Sequence, residues 1–147
     1  MAFSRHAAGA ITRMAACTTA RCPDARYASW ITNCLYELGD FYRRGIIVEA
    51  DPHKAYELYW HAYEVIRDVI MPSHYSNNDS YSDVCFRLAE CFHYGIGTDI
   101  NMTKAKAFIE IAKEETKKRA DEGDVYGGSV LPRVEKEWLS IMQETGF

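Results

Sequence analysis

The sequence predicts an all-α fold made of stacked pairs of antiparallel helices. Three observations lead to this prediction. A segment recurs at an offset of 50 residues, so that Leu38 aligns with Leu88 and Ala55 aligns with Ala105. Within each copy, apolar residues recur at steps of three and four, which is the period of an amphipathic helix. Glycines and helix-capping residues then mark where each helix ends and the next begins.

The composition is that of a soluble globular protein. Hydrophobic residues make up 48% and charged residues 26% of the 147 residues, which is enough for one domain with its own core. The formal net charge of −4 argues against nucleic acid as a partner, and no basic face for RNA is evident. No run approaches the roughly 20 apolar residues of a membrane span. We therefore expect neither nucleic acid nor membrane among the partners.

The two copies match without a gap. Leu38–Ile47 aligns with Leu88–Gly97, and Asp51–Ala62 aligns with Asn101–Ala112. Small residues, aromatic residues, glycine and a Lys-Ala pair agree by type. Such self-similarity is typical of a repeat architecture, in which each repeat is one supersecondary unit. We place the repeats at about 31–70 and 81–121.

In the first repeat, Gly45 is expected to end one helix in the left-handed conformation. Asp51 is expected to cap the next helix, with Pro52 at its first position. The two apolar stripes are Ile31, Leu35, Leu38 and Tyr42, followed by Ala55, Leu58, Tyr59, Ala62, Ile66 and Val69.

The second repeat follows the same pattern after a turn-rich segment at 71–80. Gly95 ends its first helix and Asn101 caps its second helix. Its apolar stripes are Val84, Leu88, Cys91 and Phe92, then Ala105, Phe108 and Ala112.

A last helix is predicted at about 130–144, after a loop at Gly127-Gly128. It starts near Ser129 or Leu131, with Pro132 in its first turn. A repeat array needs such a helix to cap its end. Its apolar face is Leu131, Val134, Trp138 and Ile141, while Glu135, Lys136 and Glu137 are predicted to face outward.

Residues 1–23 allow two interpretations. Three arginines and no acidic residue among many Ala, Ser and Thr are typical of an organelle transit peptide. The same residues place apolar side chains at helical spacing, which favours an additional N-terminal helix. The localisation is accordingly cytoplasmic or, alternatively, organellar.

The pattern L-G-x-x-Y-x-x-G-x-x-V-x-x-D-x-x-K-A at Leu38–Ala55 resembles a Sel1-like repeat, a relative of the tetratricopeptide class. The second copy departs from it at Ala89, Thr98 and Asn101, and gains Gly97. The resemblance implies that residues 24–147 form a short right-handed solenoid with terminal capping helices. It also implies a protein-interaction scaffold, acting as an adaptor or as a small inhibitor or effector of one target. Self-association is a further possibility.

The first helix of each repeat lines the concave side of that architecture, so its polar residues are the candidate contacts with another protein or peptide. A solvated helix face is the alternative interpretation. The candidate partner-binding residues are Glu37, Asp40, Arg43, Arg44, Arg87, Glu90, His93 and Tyr94.

We expect no enzyme, no cofactor and no metal. A zinc site at Cys85, Cys91 and His93 would have a C-x5-C-x-H spacing that lacks the paired ligands of known zinc motifs. The odd number of cysteines, which are Cys17, Cys22, Cys34, Cys85 and Cys91, indicates free thiols in a reducing compartment. The alternative is a small-molecule-binding or hydrolytic enzyme of the cysteine-rich Sel1-like type. The regular cysteine pairing of that type is absent, because Cys34 aligns with Val84.

A stripe of Tyr56, Trp60 and Tyr63 follows the second helix at steps of four and three. Large rings at such spacing are typical of a core between helices, and the alternative is a platform for a ligand.

Overall fold

A computed structural model describes residues 25–73 and 80–146 of the chain. This part of the chain contains five α-helices and no strand, which confirms the all-α prediction. The chain divides into two compact units, Met1–Asn78 and Asp79–Phe147, here called unit 1 and unit 2. The two interpretations of residues 1–23 concern residues outside the described ranges.

Unit 1 is a pair of antiparallel helices. Helix α1 spans Ala25–Arg44 and α2 spans Pro52–Val65. A π-helical turn at Ile66–Ile70 and a 3-10 turn at Met71–Ser73 extend α2. Most of the predicted stripe residues form the core, while Leu38, Tyr42, Leu58 and Val69 are half-buried. The fully buried stripe residues are Ile31, Leu35, Ala55, Tyr59, Ala62 and Ile66.

A glycine sets the distance between the two helices of unit 1. A Cβ atom on Gly39 would lie 2.5 Å from Cε1 of Tyr59, which is closer than packed atoms approach. The Tyr59 hydroxyl then reaches α1, where it donates a hydrogen bond to Oδ1 of Asp40 at 2.5 Å. The buried ring and its polar tip therefore join α1 to α2.

The turn between the two helices of each repeat follows the sequence prediction. Gly45 and Gly95 have φ values of 68° and 70°, the left-handed conformation that ends a helix. The side chains of Asp51 and Asn101 accept hydrogen bonds from amides three residues later, each at 3.1 Å. Pro52 occupies the first turn of α2, where no amide donor is needed.

Unit 2 contains a second helix pair and the C-terminal helix. Helix α3 spans Ser80–Tyr94, α4 spans Met102–Asp121 and α5 spans Val125–Thr145. All predicted stripe residues of α3 and α4 are buried. The rings of Phe92 and Phe108 stack with centroids 5.8 Å apart, which joins the two helices.

The predicted start of the C-terminal helix was wrong. Helix α5 begins at Val125 with Asp124 as its N-cap, so Gly127 and Gly128 lie in the helix and Pro132 lies in its interior. A Cβ atom on Gly127 would lie 2.9 Å from Cβ of Arg119. This glycine therefore allows α5 to approach α4 closely, and it does not form a loop. On the predicted apolar face, Val134 and Ile141 are buried, whereas Leu131 and Trp138 are half-buried.

Within residues 25–73 and 80–146, no helix combines the length and the apolar character that a membrane span requires.

One residue of the first turn adopts a backbone conformation that its side chain disfavours. Ile47 has a φ of 70° and exposes 51% of its surface, while its repeat equivalent Gly97 has a φ of 71°. A β-branched residue is an outlier in this region, and the left-handed conformation costs about 1–2 kcal/mol outside glycine.

We expect Ile47→Gly to raise the free energy of unfolding by up to about 1 kcal/mol, because relief of this strain exceeds the entropy cost of glycine. The reciprocal Gly97→Ile variant should lower it. Urea denaturation followed by circular dichroism measures both. A midpoint for Ile47→Gly at or below that of the unaltered protein would contradict the expectation.

Candidate functional site

The outward face of α1 carries a continuous exposed stripe. Two large aromatic side chains lie in it, Trp30 with 52% and Phe41 with 36% of the surface exposed. Spacings of three and four residues place all members on one side of the helix. We call this set the α1 stripe, and it consists of Arg26, Trp30, Asn33, Glu37, Phe41 and Arg44.

Further exposed apolar side chains border the α1 stripe. The ring of Tyr27 lies beside that of Trp30, with centroids 6.0 Å apart and planes tilted by 41°. At the other end, the amide of Ile46 donates to the carbonyl of Phe41 at 3.1 Å, which closes the turn after α1. Ile46 and the strained Ile47 are both exposed there. The surface of unit 1 therefore combines apolar area with the positive charge of Arg44.

The predicted contacts of unit 1 divide into two groups. Glu37 and Arg44 lie on the α1 stripe and are exposed. Asp40 and Arg43 are half-buried beside it. The Asp40 carboxylate accepts the hydrogen bond of Tyr59, so that it stabilises the helix pair.

The matching face of α3 differs from the α1 stripe. Ser80, Asp83 and Cys91 align with Trp30, Asn33 and Phe41, and all three are buried. Of the predicted contacts, Arg87 and Glu90 are half-buried, and Tyr94 is exposed. Nη1 of Arg87 donates to the carbonyl of Asp83 at 3.0 Å. Only unit 1 therefore presents this face as an exposed aromatic surface.

His93, also predicted to contact a partner, lies inside unit 2. Its side chain is 2% exposed and lies between two carboxylates of α5. Nδ1 forms a hydrogen bond with Oε1 of Glu137, and Nε2 lies 3.0 Å from Oε1 of Glu144. The Tyr94 hydroxyl donates to the other Glu137 oxygen at 2.9 Å. These four side chains, here called the His93 cluster, join the end of α3 to α5.

The His93 cluster shifts the acidity of its members. Burial by itself lowers the pKa of His93, but the hydrogen bonds with Glu137 and Glu144 outweigh it and hold this pKa above its ordinary value. Burial, reinforced by Glu137, raises the pKa of Tyr94 to about 12. The cluster therefore favours the protonated form of His93, and the Tyr94 phenol keeps its proton at neutral pH.

The prediction that Glu137 faces outward was wrong, since its side chain is only 11% exposed. The sequence holds a signal for its true position. Glu137 follows Val134 by three residues and precedes Ile141 by four, so it lies on the apolar face of α5. A carboxylate on an apolar face needs a partner, and His93 provides it.

Arg119 joins the three helices of unit 2 at the opposite end. Its Nη2 atom pairs with Oδ2 of Asp124 at 2.8 Å, at the N-cap of α5. Its Nη1 atom donates to Oγ of Ser82 on α3 at 2.9 Å and lies 3.5 Å from Oδ1 of the buried Asp83. The hydrogen bond from Arg119 lowers the pKa of Asp124. One guanidinium thus connects α3, α4 and the start of α5.

Comparison with known families agrees with this architecture. A family model described as Sel1 repeat matches residues 32–59 and 82–116. The chain is a Sel1-like repeat protein. Each match begins within the first helix of a pair and ends within the second, so each covers one helix pair. Sel1 repeats are generally protein-interaction modules. No curated protein and no solved structure matches the chain.

The cysteines of this Sel1-like protein that the structure describes are free thiols, with Cys85 and Cys91 buried and Cys34 half-buried. Burial raises the pKa of the Cys85 thiol, and burial together with Glu37 raises that of Cys34. Such thiols are poorly nucleophilic. Among residues 25–73 and 80–146, no group of three or more His, Cys, Asp or Glu side chains could hold a metal ion. Cys17 and Cys22 lie outside these ranges.

The aromatic residues of α2 border the core of the first repeat. Tyr56, Trp60 and Tyr63 are each half-buried. Their ring centroids are 6.3 Å and 5.4 Å apart along the helix. They cover the edge of the core, whose interior is filled from α2 by Ala55 and Tyr59.

The contacts of Arg119 with Ser82, Asp83 and Asp124, here called the Arg119 junction, should contribute strongly to the stability of unit 2. Arg119→Met keeps the apolar stem but removes the guanidinium that faces the buried Asp83 carboxylate. We expect the free energy of unfolding to fall by about 3 kcal/mol, because removing one partner of a buried ion pair leaves the other charge desolvated. Urea denaturation followed by circular dichroism measures the change.

Arg133→Met is the matched control. The Arg133 guanidinium lies 5.9 Å from the centre of the Phe86 ring on the surface of unit 2, so its loss should cost less than about 1 kcal/mol. Equal stability of the two variants would show that the Arg119 junction adds little.

Proposed function

We propose that this Sel1-like repeat protein is an adaptor, or a small inhibitor or effector, that binds one target protein through the α1 stripe. The observation that carries the proposal is the exposure of Trp30 and Phe41 on one face of α1. Eleven residues of helix place them about 16 Å apart, at 1.5 Å per residue. This span suits a single contact patch on another protein.

The residue types of the α1 stripe favour binding over simple solvation. Trp, Tyr and Arg are the residues that most often dominate the binding energy of protein interfaces. Docking would remove from water the apolar area that Trp30 and Phe41 now expose, at about 25 cal/mol per Å². Glu37 and Arg44 would orient the partner, because charges at the rim of an interface add specificity more than affinity.

The strained turn supports the same proposal. Ile47 retains a left-handed backbone and an exposed apolar side chain, and it follows the exposed Ile46 in the turn after α1. The turn imposes this backbone conformation in both repeats, so the unusual feature is an isoleucine where the second repeat has Gly97. Strained residues cluster at binding sites in many proteins. We include Ile47 as the contact at the edge of the α1 stripe.

The other residues that the sequence predicted to contact a partner have different roles. Asp40 and His93 stabilise the two units from within. Arg43 lies beside the α1 stripe, and Arg87, Glu90 and Tyr94 are a separate candidate surface on unit 2. We propose a non-enzymatic role in a reducing compartment such as the cytoplasm. Cys34, Cys85 and Cys91 form no disulfide, which favours a reducing compartment. The raised pKa values of the Cys34 and Cys85 thiols favour a non-enzymatic role.

Affinity capture with matched variants tests the proposal. Tagged wild-type protein and the Trp30→Ala/Phe41→Ala variant would be incubated with lysate of the source organism, and bound proteins identified by mass spectrometry. Val125→Ala/Leu139→Ala is the control, because these side chains are also apolar and exposed but lie on α5. Circular dichroism verifies that each variant is folded.

We expect the wild type and the control to capture the same protein, and the α1 stripe variant to bind it at least about thirtyfold more weakly, as measured by biolayer interferometry. Undiminished binding by the folded α1 stripe variant would refute the assignment of this surface. Failure of the wild type to capture any protein would count against the adaptor role itself.

A further inference from the structure

The His93 cluster places one imidazole between two carboxylates of the same helix. His93 is in the last turn of α3, whereas Glu137 and Glu144 are two turns apart on α5. Glu137 faces Nδ1 and Glu144 faces Nε2, on opposite sides of the ring. The two carboxylates therefore hold the ring from both sides and do not converge on a shared ligand position.

This geometry requires a protonated ring. A carboxylate only accepts hydrogen bonds, and a neutral imidazole has a single N–H to donate. Hydrogen bonds to both Glu137 and Glu144 are therefore possible only for the imidazolium. The Tyr94 hydroxyl occupies the second oxygen of Glu137, which leaves the first one to accept from His93.

The charged surroundings favour the same protonation state. Glu137 and Glu144 face the His93 ring from α5, and Glu90 of α3 adds a negative charge near Tyr94. From α4, the Lys104 ammonium lies over the neighbouring Phe92 ring at 5.3 Å, and its positive charge opposes the effect of the carboxylates. His93 also lies in the last turn of α3, where the helix dipole favours a positive charge.

We propose that His93 is a proton-controlled latch that fixes the C-terminal turns of α5 to α3 and releases them when the imidazolium loses its proton. The two carboxylates would respond differently. Glu144 is 56% exposed and can turn toward water, whereas Glu137 is 11% exposed and keeps the single remaining donor. Release therefore begins at the end of α5, which carries the buried Ile141 and Met142.

The direction of the pH dependence follows from the coupling between proton binding and folding. The pKa of His93 is higher in the folded protein than in the unfolded chain. The latch therefore contributes its full stability below the ordinary histidine value of about 6.5, and this contribution is lost as pH rises through the folded value. Opening would uncover an apolar part of unit 2 that is unrelated to the α1 stripe.

Hydrogen–deuterium exchange tests the latch. Peptides from α5 would be compared at about pH 6 and about pH 9, after correction for the intrinsic pH dependence of amide exchange. We expect the last two turns of α5 to lose protection by about tenfold or more at the higher pH. Peptides from the middle of α4 provide the internal reference and should not change.

Two variants make the test specific. His93→Gln keeps a hydrogen-bonding side chain that cannot be protonated, so α5 should exchange quickly at both pH values. Glu144→Gln alters an exposed side chain and leaves the core intact, and we expect it to reduce the difference between the two pH values. The proposal fails if wild-type protection of α5 is the same at both pH values. It also fails if folded Glu144→Gln retains the full wild-type response.

Discussion

Close approach of two helices is the constraint on which each repeat depends. Small residues occupy the contact between the helices, and those on α2 and α4 are Ala55, Ala62, Ala105 and Ala112, which are fully buried. In unit 1, Gly39 makes room for the Tyr59 ring. Unit 2 has Ala89 and Ile109 at these positions, so a larger residue on one helix accompanies a smaller residue on the other. Interior volume is conserved although the residues differ, as close packing requires.

This exchange of residues also changes how each unit uses polar contacts. Tyr59 brings a hydroxyl to Asp40, whereas Ile109 offers Glu90 no donor. Unit 2 instead gains its polar connections from Arg119 and His93, both of which reach α5 or its cap. Where α1 carries Trp30 and Phe41 on an exposed face, α3 carries Ser80 and Cys91 in buried positions. The first repeat thus exposes this face, whereas the second repeat buries it.

Local features of the fold were predictable from the sequence because they depend on neighbouring residues. Apolar residues at steps of three and four identified the buried faces of the helices. Gly45 identified the end of a helix, and Asp51 and Asn101 identified the starts of the next ones. The His93 cluster was not predicted, because its partner Glu137 lies 44 residues further along the chain. The role of Gly127 was missed because a glycine pair alone does not distinguish a turn from a close helix contact. The exposure of Trp30 depends on which element covers α1, and periodicity contains no such information.

The relation of α5 to the repeats explains why its attachment depends on charges. Gly146 has a φ of 69°, like the glycines that end α1 and α3. When Gly146 is aligned with Gly45, Lys136 of α5 corresponds to Leu35 of α1, and Gln143 corresponds to Tyr42. Both Lys136 and Gln143 are exposed. Helix α5 thus resembles the first helix of a repeat, but the face that would pack against a second helix is polar. Its buried contacts come from the opposite face, mainly Val134 and Ile141. Ion pairs at both ends of this face fix the position of α5, and loss of one charged partner would leave the other charge buried without compensation. An attachment of this kind is specific in geometry, and it can be reversed by the loss of a single proton.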